Sequence, residues 1–417
     1  MTRIYLHTFG CKANQYDTEV LRQALRAAGA TPVVSPADAD VSIVNSCTVT
    51  HVSESKMRTL VRRIAKVNPE RASVIVIGCA ATVDDGTIQS IPGVADVIGG
   101  TDPDKVLRSL GLPAQTSDPV LRVFERGSRA WMKIQDGCDE HCTYCATRFA
   151  RGNSVSRRPG ELLAEAEALA AKHAEIVLTG VNIGSYGRDF DPPVRLADLV
   201  LSLVEQISEV RFRLSSIEGT QLDDRIVDLF ADSPDRLAPH VHAPLQSGSD
   251  RILKLMGRRW YTASEYVSTL NRLAERLPAL GIGADIIVGF PGETDSDFAA
   301  TRALVEEVPF TYLHVFPYSS RPVAPSSKMT EAVHPDAVKE RSSELRELVD
   351  QKRRAYISNG DGQSRDVVLL SRSGGRFEGL TEDYLTVNLS TDMQLPSRFV
   401  ARLEIREETL WADPLLS

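Results

Sequence analysis

The feature that most limits how this chain can fold is a repeated alternation of short apolar runs with helix-length segments, a rhythm that builds parallel sheets rather than bundles or sandwiches. RIYLHTFG (3–10), DVSIVNS (40–46) and SVIVIG (73–78) have the composition of strands, and ADVIGG (95–100) reads as a fourth. The spacing predicts helices over Asp17–Ala28 and Ser53–Val67. A βαβαβ unit of this kind has right-handed crossovers and binds ligands at the carboxyl ends of its strands. Cys11, Cys47 and Cys79 each follow a different one of these strands, so all three are expected at one sheet edge.

Residues 111–129 (GLPAQTSDPVLRVFERGSR) lack apolar periodicity and read as a linker. Beyond them lie six more strand-like runs: WMKIQDG (131–137), EIVLTG (175–180), RFRLSSIE (211–218), HVHAPL (240–245), IGADIIVGF (282–290) and FTYLHVFPY (310–318). Helical segments separate them, and the chain is too short for a fully closed barrel, so a partial (β/α)6 barrel is expected with its chemistry at the strand carboxyl ends. Residues 335–358 have the charge density and apolar spacing of one long helix, and the short alternating runs after it predict a small closed β-barrel. The expected fold is α/β in three domains. These are an N-terminal parallel βαβ domain of Rossmann or flavodoxin type (1–113), a central partial barrel (124–355) and a small C-terminal β-barrel (358–417).

A composition of 42% hydrophobic and 25% charged residues is that of a globular protein with a sizeable core. The formal charge of −8 argues against coating nucleic acid by charge alone, yet leaves room for local basic faces. MTRIYLHTFG lacks the pattern of a leader and no apolar run approaches the length of a membrane span, so a cytoplasmic enzyme with no membrane partner is expected. In a reducing compartment, clustered cysteines serve as metal or redox ligands rather than disulfides.

CDEHCTYC (138–145) places Cys138, Cys142 and Cys145 in one loop, directly after the first strand of the second series. A structural zinc site wants four ligands; His141 could be the fourth, although its place between the cysteines is not a usual zinc-finger spacing. A four-iron cluster held by three thiolates keeps one iron open to an outside ligand. For the N-terminal trio the competing account is three buried structural thiols.

The C-x3-C-x2-C array after a first barrel strand resembles the radical S-adenosylmethionine superfamily. Together with TFGCKANQYDTE (8–19), NSCTVT (45–50), GCAA (78–81), KIQDGC (133–138), ARG (150–152), LTGVNIGSYG (178–187), RLSSIE (213–218), PLQSGSD (244–250) and IVGFPGET (287–294), it is similar to the methylthiotransferase family across all three domains, the last being a TRAM domain. The resemblance implies two four-iron four-sulfur (4Fe-4S) clusters: an auxiliary one on Cys11, Cys47 and Cys79, and a radical one on Cys138, Cys142 and Cys145. It implies S-adenosyl-L-methionine used twice, to methylate sulfur and to generate a 5′-deoxyadenosyl radical that removes hydrogen from an unreactive C–H bond. An external electron donor and a sulfur donor are implied as partners. A radical enzyme whose auxiliary cluster only transfers electrons, and a non-enzymatic RNA-binding protein with structural clusters, are the alternatives.

On the same resemblance Tyr144 is placed against the adenine of the cofactor, with loop packing as the competing account. Gly180 and Asn182 stand at a strand end where a missing side chain lets a ligand approach the backbone. Ser216, Glu218, Gln246 and Asp285 are candidates for its ribose and amino acid moieties, or else caps of helices. Asn14 and Asp17 lie near the first auxiliary ligand, Asp17 with a reading as a helix N-cap. Arg148, Arg151, Arg157 and Arg158 form a basic run that is expected to hold an RNA backbone at the active-site mouth, joined by Arg365, Arg372 and Arg376 in the TRAM-like domain.

FGCKANQYDTE is most similar to the family version acting on N6-threonylcarbamoyladenosine at position 37, in the anticodon loop of tRNA, rather than on isopentenyladenosine or a ribosomal protein. The chain departs from the family at ATRF (146–149), Gly219, Ala243 and SRPVAP (320–325), all in loops that could line a substrate pocket.

Overall fold

A computed structural model describes residues 2–67, 73–113, 120–125, 127–277, 279–373, 376–389 and 395–415, without the side chains of 371–373 and 376. The N-terminal sheet has five parallel strands, β1 (Arg3–Thr8), β2 (Thr31–Val33), β3 (Val41–Ser46), β4 (Val74–Gly78) and β5 (Val94–Gly99), in the order β2-β1-β3-β4-β5. The short β2 is an addition to the sequence reading. Helices α1 (Lys12–Ala27) and α2 (His51–Val67) cross over between strands. β4 is buried along its whole length and β3 nearly so, as the continuous apolar runs of a central parallel strand require. The register pairs Thr8 with Asn45 and Ser46 with Gly78, so the adjacent strands β1, β3 and β4 end level and bring their cysteines to one edge.

Among the described residues the central domain has six barrel strands, Arg129–Lys133, Glu175–Thr179, Arg211–Leu214, His240–His242, Gly281–Val288 and Tyr312–Pro317, beside a two-stranded pair, Gln135–Asp136 and Val155–Ser156. The six form two parallel three-stranded sheets, linked by single bridges at Phe212–Leu237 and Ser216–His242. Helices cover the outside; Leu196–Gln206 buries Leu196, Leu199, Val200 and Leu203, the stripe expected of an amphipathic helix. The first and sixth strands do not pair.

The N-terminal domain spans that gap. On one side α1 packs along the first barrel strand, with Trp131 Nε1 donating to Gln15 Oε1 at 2.6 Å and Tyr16 buried in the central core. On the other, α2 is tied beyond the sixth strand by Arg321 to Glu54 at 2.9 Å. The segment expected to be a linker is a packed joint where it is described: Val120, Leu121 and Phe124 are buried, and Leu121 N–H donates to Glu165 at 2.8 Å.

The helix Pro335–Asn359 leads to a closed five-stranded barrel, its strands paired so that no edge remains. This barrel docks on a buried charge cluster at the start of the central strands. Glu175 accepts from Arg129 at 2.7 Å, Arg211 at 2.7 Å and Arg213 at 2.9 Å. Arg211 also reaches the Asp366 carbonyl at 2.8 Å, and Arg213 the carbonyls of Glu382 at 2.8 Å and Thr381 at 3.0 Å.

Removing one partner from a buried charge cluster leaves the others uncompensated, so Glu175→Gln is expected to cost about 3–5 kcal/mol and lower the denaturation midpoint measurably. An unchanged midpoint would contradict the role given to this cluster. Burial alone would raise the Glu175 carboxyl, but Arg213, Arg129 and Arg211 override it and hold it well below 4.5. Its contribution is therefore complete above that ordinary value and is lost only as pH falls toward the depressed one.

Candidate active site

Cys11 caps α1, Cys47 follows β3 and Cys79 opens a short helix after β4. A Cβ at Gly10 would lie 2.8 Å from the Cys47 Cβ, so the first cysteine loop lies tight against the second. Asn14 Oδ1 stands 3.7 Å from the Cys79 sulfur, and its amide donates to the carbonyls of Phe9 and Ser46 at 2.9 Å, fixing the three loops together. Arg151 donates to the Cys79 sulfur at 3.3 Å. Burial pushes the Cys47 thiol up to about 11 and raises the Cys79 thiol, with Arg151 opposing the second shift. Arg321 is buried near Cys47, and its Nε and Nη2 lack a hydrogen-bond partner among the described residues.

The loop carrying Cys138, Cys142 and Cys145 is organised around Arg258, a buried residue that the sequence reading missed. Arg258 approaches the Cys142 sulfur at 3.7 Å, the Tyr144 hydroxyl at 3.4 Å and the Tyr261 hydroxyl at 2.8 Å, and pairs with Glu218. Burial drives the Cys142 thiol up to about 12 and raises Cys138 and Glu218. The only early sign of Arg258 was its position shortly after PLQSGSD, which does not separate a site arginine from a surface one.

Cys11 and Cys47 open on a cavity of about 540 Å³ that runs into the barrel, with Gly180, Ser216, His242, Asp285 and Phe316 on its walls. Arg151 joins this side to the second cysteine loop: it pairs with Asp17 at 2.8 Å and Asp136 at 2.8 Å, while Lys133 pairs with Asp17 and, at 2.6 Å, with Asp136. Burial would raise the Asp136 carboxyl, yet Lys133 and Arg151 hold it down to about 2.

Each trio offers three thiols with a guanidinium beside it, a donor set suited to an anionic cluster: metal replaces the thiol protons and the cations offset the charge. Among the described residues, the one set of three ligand atoms drawn within 4.8 Å is His242, Asp285 and His314, so the cysteine trios are spaced more widely than ligands of one ion. His242 already uses both ring nitrogens, Nε2 with Asp285 at 3.1 Å and Nδ1 with the Tyr312 hydroxyl at 3.0 Å, so it belongs to a Tyr312–His242–Asp285 hydrogen-bond chain. Asn182 is buried with its Oδ1 unpartnered among the described residues, so it can accept a hydrogen bond from a ligand.

Several expectations are corrected by packing. Asp17 is an interior residue of α1 held by ion pairs, and Cys11 is the residue at the N-cap. At Gly180 the close neighbour is Gln135, whose carbonyl would stand 2.7 Å from a Cβ, so the glycine makes room for protein. Tyr144 packs against the cluster of Ile252, Met256 and Phe290. Gln246 is buried at φ 71 and donates its N–H to the Asp285 carbonyl at 2.8 Å. Of the basic run, Arg151 is spent on Asp17 and Asp136, and Arg157 on Glu165 at 2.9 Å and the Tyr16 hydroxyl at 2.8 Å, so neither waits for phosphate. Arg158 is exposed and Arg148 contacts His141. Arg365 pairs with Asp383 at 3.3 Å; the side chains of Arg372 and Arg376 lie outside the described residues. Gly219 and Ala243 have a packing role: the Tyr266 ring lies over the first, and its hydroxyl donates to the carbonyl of the second at 2.6 Å.

Residues 3–100 match uncharacterized protein family UPF0004, and residues 132–305 match the radical SAM superfamily. The fold and the cysteine loop thus define an S-adenosylmethionine enzyme with an iron–sulfur cluster. The chain is 36% identical over 410 residues to the threonylcarbamoyladenosine tRNA methylthiotransferase MtaB of Bacillus subtilis, covering 93% of this chain and 90% of that one. Identity to the protein of the same name from Thermotoga maritima is 39%, over 88% and 86% of the two chains. It is 32% to the tRNA-2-methylthio-N(6)-dimethylallyladenosine synthase of Dictyoglomus thermophilum, over 99% and 98%. The chain belongs to the methylthiotransferase family of radical S-adenosylmethionine enzymes, and is a transferase. Among solved structures, the radical S-adenosylmethionine methyltransferase TsrM from Kitasatospora setae shares the fold, with a TM-score of 0.56 at 16% identity over 76% of this chain and 73% of that one. No described helix is long and apolar enough to cross a membrane.

A raised thiol is protonated and slow to alkylate. In metal-free protein at pH 8, mass-spectrometric mapping should find the exposed Cys11 labelled well before Cys47 and Cys142. Cys47 labelling should climb roughly tenfold per pH unit as the thiolate fraction grows. Equal labelling of the three at pH 8 contradicts this geometry.

Proposed function

We propose that this enzyme converts N6-threonylcarbamoyladenosine at position 37 of tRNA to its 2-methylthio derivative. The observation that supports the reading is that two separate thiol trios flank the joint between the N-terminal domain and the barrel, with Cys11 and Cys47 of one of them opening on the barrel cavity. The names of the Bacillus and Thermotoga relatives support the choice of nucleoside. Residues 1–113 are read as the auxiliary-cluster domain, 124–355 as the radical domain and 358–417 as a TRAM domain for RNA, with tRNA placing the work in the cytoplasm.

Cys11, Cys47 and Cys79 would hold one 4Fe-4S cluster, and Cys138, Cys142 and Cys145 a second with an iron left for S-adenosyl-L-methionine. When bound, these groups would supply the sulfur transfer and the homolytic chemistry, with an external electron donor and a sulfur donor as partners. The chain's own residues orient and shield. Arg258 neutralises charge at Cys142, and Arg151 does so at Cys79. Asn182, Ser216, Glu218 and Asp285 are the polar groups assigned to the cofactor, with Tyr144, Gly180 and Gln246 shaping the loops around them. Of the four arginines in the 148–158 run, Arg148 and Arg158 are the ones left for the RNA backbone, with Arg372 and Arg376 of the small barrel assigned to it as well.

The reconstituted protein should carry about eight irons, and replacing either trio by alanine should remove about half of them. Loss of Cys138, Cys142 and Cys145 should abolish 5′-deoxyadenosine formation, while loss of the N-terminal trio should spare it and stop methylthio product. Nucleoside mass analysis of tRNA from cells lacking the gene decides the substrate. Disappearance of the methylthiolated threonylcarbamoyl nucleoside is expected; disappearance of the dimethylallyl one instead, or an unchanged profile, rejects the assignment.

A further inference from the structure

Lys12 stands between Cys11 and the barrel interior. It is the first residue of α1 and lines the 540 Å³ cavity together with Arg213, Ser215, His240 and Tyr384. Among the described residues its ammonium makes no hydrogen bond or ion pair. Such a group in a partly buried place calls for an anion.

The protein around it has none to spare. Arg129, Arg211 and Arg213 converge on the single carboxylate of Glu175. Asp366 answers Arg211 at 2.9 Å and is shared with Arg398 at 2.8 Å. Asp285 faces His242 at 3.1 Å. The same wall has further polar capacity without internal partners, at Ser215 Oγ and His240 Nδ1, both in buried residues. A cavity with a surplus of positive charge and unmet polar groups suits an occupant that carries a carboxylate and hydrogen-bonding atoms, and disfavours a purely hydrocarbon substituent.

We propose that Lys12 receives the carboxylate of the substituent on the target adenine, so that this cavity selects an acidic, threonylcarbamoyl-type side group. The assignment rests on the reading of the cavity as the substrate site. The competing role for Lys12 is to balance the charge of a cluster at Cys11, with no contact to substrate.

The test uses the reconstituted holoenzyme and two anticodon stem-loop RNAs, one with the free threonylcarbamoyl acid and one with its carboxylate converted to the neutral methylamide. The unmodified enzyme should methylthiolate the acid at least about tenfold faster than the amide, as expected for loss of a charge-assisted contact. In Lys12→Met that ratio should collapse toward one with iron content retained, and Lys12→Arg should restore part of it. An unchanged ratio in Lys12→Met, or altered iron retention with the ratio intact, assigns the residue to the cluster and overturns the proposal. If Lys12→Met fails to load iron, the substrate arm still decides, because equal rates on acid and amide by the unmodified enzyme are incompatible with a carboxylate receptor. Failure of the unmodified enzyme on the acid substrate rejects the parent reading instead, and this one with it.

Discussion

The ion pairs of Asp17 hold together the parts from which the site is made. The carboxylate projects from α1 of the N-terminal domain and receives Lys133 from the first barrel strand and Arg151 from just beyond the second cysteine loop. Arg151 continues to Asp136, Asn14 and the Cys79 sulfur, so one buried network touches both domains and the loops of both trios. Networks of this kind are stiff because each member is satisfied only while the others stay in place, and loss of one partner costs about 3–5 kcal/mol. A partial barrel whose first and last strands do not pair with each other needs something across its open side, and this network makes the N-terminal domain that closure.

Charge explains why the thiols are where they are. Cys47, Cys79, Cys138 and Cys142 are all raised by burial, so as free thiols they are poor nucleophiles and tolerate a dry setting. Metal binding at such thiols would exchange those protons for an anionic cluster, and the guanidiniums of Arg151, Arg258 and Arg321 stand beside them. The unpartnered donors of Arg321 are the clearest sign that the N-terminal pocket is built for more than its own side chains.

The C-terminal barrel is more than an appendage. Its turn at Thr381–Tyr384 presents carbonyls to Arg213 and lays the Tyr384 ring on His240 at 4.2 Å, so it finishes the floor of the barrel cavity. The cluster around Glu175 therefore couples the small barrel to the interior of the central one.

Strand-like runs followed by cysteines were legible in the chain because β/α alternation and strand-end position are local properties, and local spacing was enough to place all six thiols, the partial barrel and the closed terminal barrel. Helix limits were less so: Asp17 looks like a cap beside an apolar run, and only the turn begun at Cys11 makes it interior. The fate of the arginines was not legible at all. Arg148, Arg151, Arg157 and Arg158 are equivalent in sequence, yet two of them are consumed by Asp17, Asp136 and Glu165, and the buried Arg258 resembles any surface arginine until Glu218 and Cys142 arrive beside it. Composition and periodicity determine which segments become strands and which residues end them; ion pairing is set by distances across the fold between residues far apart in the chain, so tertiary structure alone decided which charges serve the scaffold and which face the cavity.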